Sequence, residues 1–491
     1  MTKTVNDFVK FDNPRSLFPL SSTERYIELG EEKLREFIYE SIFDANNKVV
    51  SFATCPIAYA LKDKLHLRRM LLLDPLASFY IYDFLLENWE LFKPQKNLNR
   101  QYFGYTFNSG KPLNPFPQYH EFRERKYQLK AKYEYFVKVD IANCFNSFYH
   151  HDIVTYLRSN LSNREAQQFG QFLREINSGR SVNCFPQGIY PAKALGNGFL
   201  SFTETSRELK SPTVIRFLDD FFLFANSLST LERDVIVLQQ LLGEKALFLN
   251  RKKTQFGSKN SDFEERKLDR IKISLLQKRE ACGYDDDEEE DDEEEDEDVR
   301  LEPKEVDYLR NIIQSSDVTE EDVELALSLL KQDKEGASIL IKLVFEHYPN
   351  LIKDLYRHLA EIQDEGELWT VIEEQVSSTF VSEFELFWLV RIILDIYEFD
   401  QGSVDMLLKI FEHPCASPVV QSAILEFTDN RFGFCELKEK QLRSGSGGII
   451  AISAIAGLEK LEKAKRNQIY KYVSHTSPYL HILCSIMSKA K

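Results

Sequence analysis

The stretch Arg216-Phe217-Leu218-Asp219-Asp220-Phe221-Phe222-Leu223-Phe224 sets two adjacent carboxylates inside an almost wholly apolar run. It reads as two short strands turning at an acidic tip. Side chains alternate along a strand, so the pattern predicts Phe217, Asp219, Phe221 and Leu223 on one face and Leu218, Asp220, Phe222 and Phe224 on the other. Ionised acids among that many rings are unfavourable without a compensating cation, and a hard divalent metal takes carboxylate oxygens. The Asp-Asp pair by itself reads equally as a turn former between two core strands. A second segment shifts the balance. Tyr133 to Asp140 alternates Tyr133, Tyr135, Val137 and Val139 on one face and ends on Asp140. If the two strands are neighbours in one sheet, Asp140 and Asp219 can share two metal ions about 3.5 to 4 Å apart, the geometry of in-line phosphoryl displacement.

Four segments follow in order: Val139-Asp140-Ile141-Ala142-Asn143-Cys144-Phe145, Pro186-Gln187-Gly188, Phe217-Leu218-Asp219-Asp220 and Leu249-Asn250-Arg251-Lys252-Lys253-Thr254. They resemble motifs A, B, C and D of the reverse transcriptases, over roughly residues 50 to 257. Within that family the chain is most similar to the bacterial abortive-infection and other phage-defence enzymes that carry a helical C-terminal region. The resemblance implies an RNA-directed DNA polymerase holding two Mg2+ ions, or Mn2+ in their place, on Asp140 and Asp219, with Asp220 as support or ligand. It makes Lys253 the motif D lysine that assists the pyrophosphate leaving group. Phe145 becomes the ring under the sugar that blocks a 2′-hydroxyl. Gln187 and Gly188 join the substrate-binding set, glycine being suited to a backbone that comes close to a nucleotide. By position before Asp140, Lys62, Lys64, Arg68 and Arg69 resemble fingers residues that hold the triphosphate or the template backbone; an ordinary solvated basic face explains them equally. Implied partners are dNTPs, an RNA template or non-coding RNA, a DNA product, and a second copy or a partner protein, without a membrane. A phage-defence role, and synthesis that is untemplated or starts on a protein hydroxyl, are implied by the resemblance alone. Two departures stand out: Phe217 replaces the family's usual tyrosine, and Ile189-Tyr190-Pro191 follows Gly188 where many relatives have serine and proline.

The 43% hydrophobic content supports substantial cores over 491 residues, enough for two or three domains. No run approaches the roughly 18 apolar residues of a membrane span, and the first residues lack a signal peptide's apolar centre, so a cytoplasmic location is expected. Seven scattered cysteines read as reduced thiols, and the adjacent His150 and His151 have no companions at zinc spacing. The formal charge of −16 is at odds with phosphate binding. Fourteen consecutive acids, Asp285 to Asp298, account for most of it, and without them the chain stands at −2. Such a run repels itself and reads as a spacer, or as a mimic of nucleic acid over a basic channel.

In chain order, residues 1–50 read as a helical lead-in with a cap at Ser21-Ser22-Thr23-Glu24, and 51–257 as fingers and palm. Helices are predicted over 76–92, over 192–209 on the stripe Leu195, Phe199, Phe202 and Leu209, and over Leu231 to Leu242 ending at Gly243. The basic, aromatic Tyr119–Lys132 segment is expected to reach a nucleic-acid strand by charge and stacking. Residues 258–303 read as a linker and 304–491 as all-helical. There, Phe345-Glu346-His347-Tyr348-Pro349 and Phe411-Glu412-His413-Pro414 suggest one helix ending used twice, as in HEAT-like repeats. The expected fold is therefore α+β, a reverse-transcriptase palm with helical fingers, followed by an all-α helical-repeat domain. Two rivals remain: a retron-type or group II intron-type enzyme copying a defined RNA, and an inactive helical-repeat scaffold.

Overall fold

In the computed structural model, the described residues are 4–44, 50–94, 97, 99–182, 185–259, 270–281, 301–330, 333–360, 367–445 and 447–490. They fall into two units: Met1–Asp12, Ser51–Thr54 and Leu76–Leu268 make one, and Asn13–Val50, Cys55–Pro75 and Asp269–Lys491 the other. This grouping cuts across the division drawn in chain order, because residues 13–50 and 55–75 go with the helical half. The acidic run 285–298 lies outside the described residues. Among the described residues, no helix is long and apolar enough to cross a membrane.

The strands are β1 (Ile57–Leu61), β2 (Leu67–Leu71), β3 (Arg100–Phe103), β4 (Phe107–Asn108), β5 (Lys111–Pro112), β6 (Tyr135–Asp140), β7 (Thr213–Phe217), β8 (Asp220–Ala225) and β9 (Gln255–Ser258). β1 pairs with β2 and β4 with β5. The other five form one sheet in the order β3-β7-β8-β6-β9, parallel at β3–β7 and antiparallel elsewhere.

That sheet is the centre of the first unit, and it is covered on both faces. Helix Pro115–Lys132 starts with proline at its first turn and an Asn114 side chain accepting from Phe116 N. It lays Phe122 and Leu129 on Phe103, Tyr133, Ile215, Phe222 and Phe224. The opposite face buries Val137, Val139, Phe221 and Leu223 completely, and helix Leu228–Gly243 packs on β6 and β8 with Leu231, Val235, Leu238 and Leu242 buried, the predicted stripe. Each such side chain removed from water contributes about 1.5–3 kcal/mol. Helix Asn163–Ile176 opens with a capping box between Ser162 and Glu165 and buries Ala166, Phe169, Leu173 and Ile176 along one face.

Two expectations need correction here. Phe217 pairs directly with Asp220, so it shares the face of Phe222 and not that of Phe221. Leu218 and Asp219 form a two-residue turn, and a hairpin matches residue i with i+3, which resets the alternation. The helix expected over 192–209 is Tyr190–Phe199 followed by Ser201–Glu204. Beyond it, local Thr205 and Ser206 bonds take the last carbonyls, while Asp234 and Arg100 hold residues 209–211 in a non-helical path. In helix Pro115–Lys132, Phe122 is buried in the sheet core and cannot stack on a base; Tyr127 is the exposed ring.

In the second unit β1 and β2 form a hairpin whose Tyr59 N–H donates to Glu383 Oε1 at 2.5 Å, at the start of helix Glu383–Ile396. Capping boxes open the helices at Thr319/Asp322 and Ser382/Glu385. The two repeated endings do end helices, Lys334–His347 and Gln401–Glu412. Helix Arg270–Ala281, inside the expected linker, is tied to this unit by Lys272–Asp322 and Lys278–Glu305 pairs, each 2.6 Å. Helix Ser21–Glu36 begins where the sequence places it, but its first N–H groups donate to Glu426, at 3.0 Å from Ser21 and 2.9 Å from Ser22. A carboxylate remote in sequence does the capping, and no local side chain does.

Candidate active site

β6 ends on Asp140 because the alternation that buries Val137 and Val139 turns residues 136, 138 and 140 to the other face. β8 begins on Asp220, and the register sets Asp140 directly opposite Asp220. Asp219 lies in the turn between β7 and β8, and its carbonyl accepts from Ile141 N–H at 3.3 Å. So the last residues of one strand and the tip of the hairpin are held together by backbone. Both tips carry a left-handed residue, Asn143 (φ 50°) and Leu218 (φ 51°). Asparagine tolerates that conformation; leucine does so at a cost of about 1–2 kcal/mol, a strain characteristic of functional turns.

Two lysines neutralise the acids. Lys253 Nζ donates to Asp140 Oδ1 at 3.2 Å, and Asn250 Nδ2 donates to Oδ2 at 3.2 Å. Asn250 N–H also donates to the Asp140 carbonyl at 2.7 Å, which carries the turn Arg251–Lys253 to the carboxylate. Leu249 forms an isolated antiparallel bridge with Ile141. Lys138 Nζ stands 3.6 Å from Asp220 Oδ1. Desolvation pulls the Lys253 ammonium down, but the Asp140 carboxylate outweighs it and the group sits above its ordinary value. Burial pushes the Asp220 carboxyl up, against the pull of Lys138. The Cys144 thiol, buried beside the acids, is raised well above its usual range by burial and then by Asp219.

Phe145, half-buried, lies against Phe148 and Phe185, with ring centroids 5.6 and 6.5 Å apart. Its ring rests over Gly196, where a Cβ would come within 2.6 Å of Phe145 Cε1. Gly188 has φ 91°, a conformation glycine adopts freely. Gln187 Oε1 is buried without a hydrogen-bond partner among the described residues. The helix that follows is capped from far away: Asp12 Oδ2 accepts from Tyr190 N at 2.7 Å and from Tyr82 OH at 2.5 Å. A carboxylate there also complements the positive end of the helix.

Asp140, Asp219, Asp220 and Lys253 therefore meet at one end of the sheet. Arg68 and Arg69 are on β2, in the other unit. Lys138 and Asn250, which contact the acids, and Asp12 and Gly196, which support the helix and the ring beside them, were not singled out from the sequence. Lys138 was legible, two residues before Asp140 on the same face; the others depend on contacts that no local pattern encodes.

Among the described residues, no three His, Cys, Asp or Glu groups converge closely enough to hold an ion as the side chains stand. The donor set nevertheless suits a hard divalent cation. It consists of carboxylates, and Asp220 Oδ1 is buried without a hydrogen-bond partner among the described residues. The two lysines occupy the places where positive charge is required.

No curated protein matches the chain. Residues 92–309, under half of it, match the sequence model of a family described as reverse transcriptase (RNA-dependent DNA polymerase), a match that spans all four acid and lysine positions and implies polymerase activity with binding of dNTPs and nucleic acid.

Proposed function

We propose that the chain is a DNA polymerase of reverse-transcriptase type that joins dNTPs by two-metal nucleotidyl transfer. The observation that supports this most is the register: Asp140 opposite Asp220, with the Asp219 peptide bonded to Ile141, inside the segment that the family model matches. Asp140 and Asp219 would hold two Mg2+ ions, or Mn2+, with Asp220 beside them. Such ions, when bound, neutralise charge on the transferring phosphoryl group and favour the attacking hydroxyl as its alkoxide. The remaining work falls to the chain. Lys253, charged and half-exposed beside Asp140, donates a proton or hydrogen bond to the departing pyrophosphate. Phe145, backed by Phe148 and Phe185, leaves no room for a 2′-hydroxyl. Gln187 Oε1 offers an unspent acceptor and Gly188 a close backbone approach, both suited to a template–nucleotide pair.

The finer reading rests on the sequence resemblance: action in phage defence by abortive infection, initiation on a protein hydroxyl, and a C-terminal array of HEAT-like helix pairs. Tyrosine can attack an activated α-phosphate and keep the first nucleotide covalently attached. The test is to incubate the purified chain with each labelled dNTP and Mg2+, with and without an RNA template and primer. Label that stays with the polypeptide through denaturation and is released by proteolysis supports initiation on protein. Free DNA that grows only on a supplied RNA template and primer moves the reading to a retron-type enzyme. No incorporation under any condition leaves the scaffold.

A further inference from the structure

We propose that Arg216 is a positioning residue for the Asp219 carboxylate, fixing the peptide before it and tying that peptide to the helix after Gln187-Gly188. The catalytic consequence rests on the polymerase reading above; the structural claim rests on geometry alone.

Arg216 is in β7 with no exposed surface, its guanidinium 5.2 Å from the Tyr102 ring centroid and 5.4 Å from that of Phe221. A buried guanidinium is tolerated only when its charge is paired and its donors are spent. It has five N–H groups, and the structure shows five bonds. Nε donates to Glu204 Oε2 at 3.1 Å and Nη2 to Glu204 Oε1 at 2.9 Å, a two-pronged pair with a carboxylate that is itself fully buried. Nη2 also donates to the Asn197 carbonyl at 2.9 Å, and Nη1 to Asn197 Oδ1 at 2.6 Å. The remaining bond runs from Nη1 to the Leu218 carbonyl at 2.7 Å. Asn197, in turn, donates to the carbonyls of Phe103 and Gly104 at 2.9 and 2.6 Å.

A buried strand position needs none of this; valine or phenylalanine would fill it. What the arginine adds is its hold on the tip. The Leu218 carbonyl belongs to the peptide entering Asp219, and the Asp219 carbonyl, in the peptide leaving it, accepts from Ile141 N–H. With both peptides held, the direction of the Asp219 Cα–Cβ bond is set, and with it the range of positions open to the carboxylate. Leu218, in its left-handed conformation, is the residue that would relax first without the bond.

Arg216→Lys keeps the charge but offers three donors on a point-like head in place of a fork. Glu204→Gln is the milder variant. Arg100→Lys is the control: Arg100 donates to the Leu209 and Ser211 carbonyls at the other end of the sheet edge. The readouts are kcat and KM for dNTP, the Mg2+ concentration for half-maximal rate, thermal melting, and hydrogen exchange of the Asp219 and Asp220 amides. Arg216→Lys should lower kcat by about 10- to 100-fold, the scale of a small misplacement in a reacting site, with KM nearly unchanged, a raised Mg2+ requirement and faster exchange at the turn. Glu204→Gln should follow in the same direction with a smaller change, and Arg100→Lys should do neither. Folded variants with unchanged kcat, Mg2+ dependence and exchange would overturn the proposal, as would a loss that tracks melting alone and appears equally in Arg100→Lys. If the parent chain incorporates no nucleotide, the polymerase reading fails, and exchange at Asp219 and Asp220 alone decides whether Arg216 holds the turn.

Discussion

Replacing Gly196 by alanine tests the nucleotide gate through its support. Gly196 sits inside helix Tyr190–Phe199, where alanine is favoured over glycine by about 1 kcal/mol. The new Cβ would lie 2.6 Å from Phe145 Cε1 and 3.2 Å from Phe148 Cε2, well inside the roughly 3.5 Å at which carbon atoms meet favourably. Phe148 is 1% exposed and wedged among Phe145, Phe185 and Phe199, so the half-buried Phe145 ring is the one that yields. Overpacking costs roughly 1–3 kcal/mol. Set against the helical gain, the net destabilisation is about 0–2 kcal/mol. In a Phe145→Ala background the 2.6 Å clash disappears and only the 3.2 Å approach to Phe148 Cε2 remains, so the same substitution should become nearly neutral or stabilise by at most about 1 kcal/mol. A double-mutant cycle in urea should therefore return a coupling of about 1–3 kcal/mol. Gly196→Ala should raise KM for dNTPs, because the ring is pushed toward the sugar, while ribonucleotides stay excluded; Phe145→Ala should admit them. Single-nucleotide incorporation with matched dNTP and rNTP measures both. Stabilities additive to within about 0.5 kcal/mol, with KM unchanged, would refute the placement of the ring and the gate with it.

Asp219→Ala should abolish incorporation and change stability by no more than about 0.5 kcal/mol, since the side chain is half-exposed in a turn; incorporation by the folded variant at the parent rate would remove Asp219 from the site. Asp12→Ala strands the Tyr190 N–H and the Tyr82 hydroxyl in a buried setting, and should destabilise by roughly 2–3 kcal/mol, seen as a lower urea midpoint. The helical unit should lose stability in acid. Burial raises both carboxyls, but hydrogen bonds from Lys272 and Thr319 to Asp322, and from Lys278, the Glu302 N–H and Ser274 to Glu305, outweigh it and hold them below their ordinary values. Their contribution is present above the unfolded values of 3.8 and 4.5 and is lost as the pH falls through the depressed folded values. Lys272 and Lys278 keep 20% and 26% of their side-chain surface in solvent, which limits each pair to about 1 kcal/mol, and Lys272→Met with Lys278→Met should reduce the fall of the urea midpoint between pH 5 and the acid limit.

The sequence carried what is periodic or local. Buried alternation located β6 and the β7–β8 hairpin, and a 3.6-residue stripe located helix Leu228–Gly243. It did not carry the caps at Tyr190 and Ser21, which come from Asp12 and Glu426. Nor could it show that residues 55–75 group with the helices, since that depends on bonds such as Tyr59 to Glu383.

The acids themselves show where the boundary lies. A slip of one residue between β6 and β8 would turn Val137 and Val139 to the wrong face, so the parity of the pairing is written in the hydrophobic pattern. A slip of two residues preserves that parity and would set Asp140 opposite Phe222, leaving no carboxylate pair. Nothing in the alternation forbids it. What excludes it is tertiary: the Ile141 N–H on the Asp219 carbonyl, which ties the end of β6 to the hairpin tip, and Asn250 on both the carbonyl and the carboxylate of Asp140. The types of the site's residues were thus readable one segment at a time, whereas their register depends on bonds spanning more than 70 residues of chain.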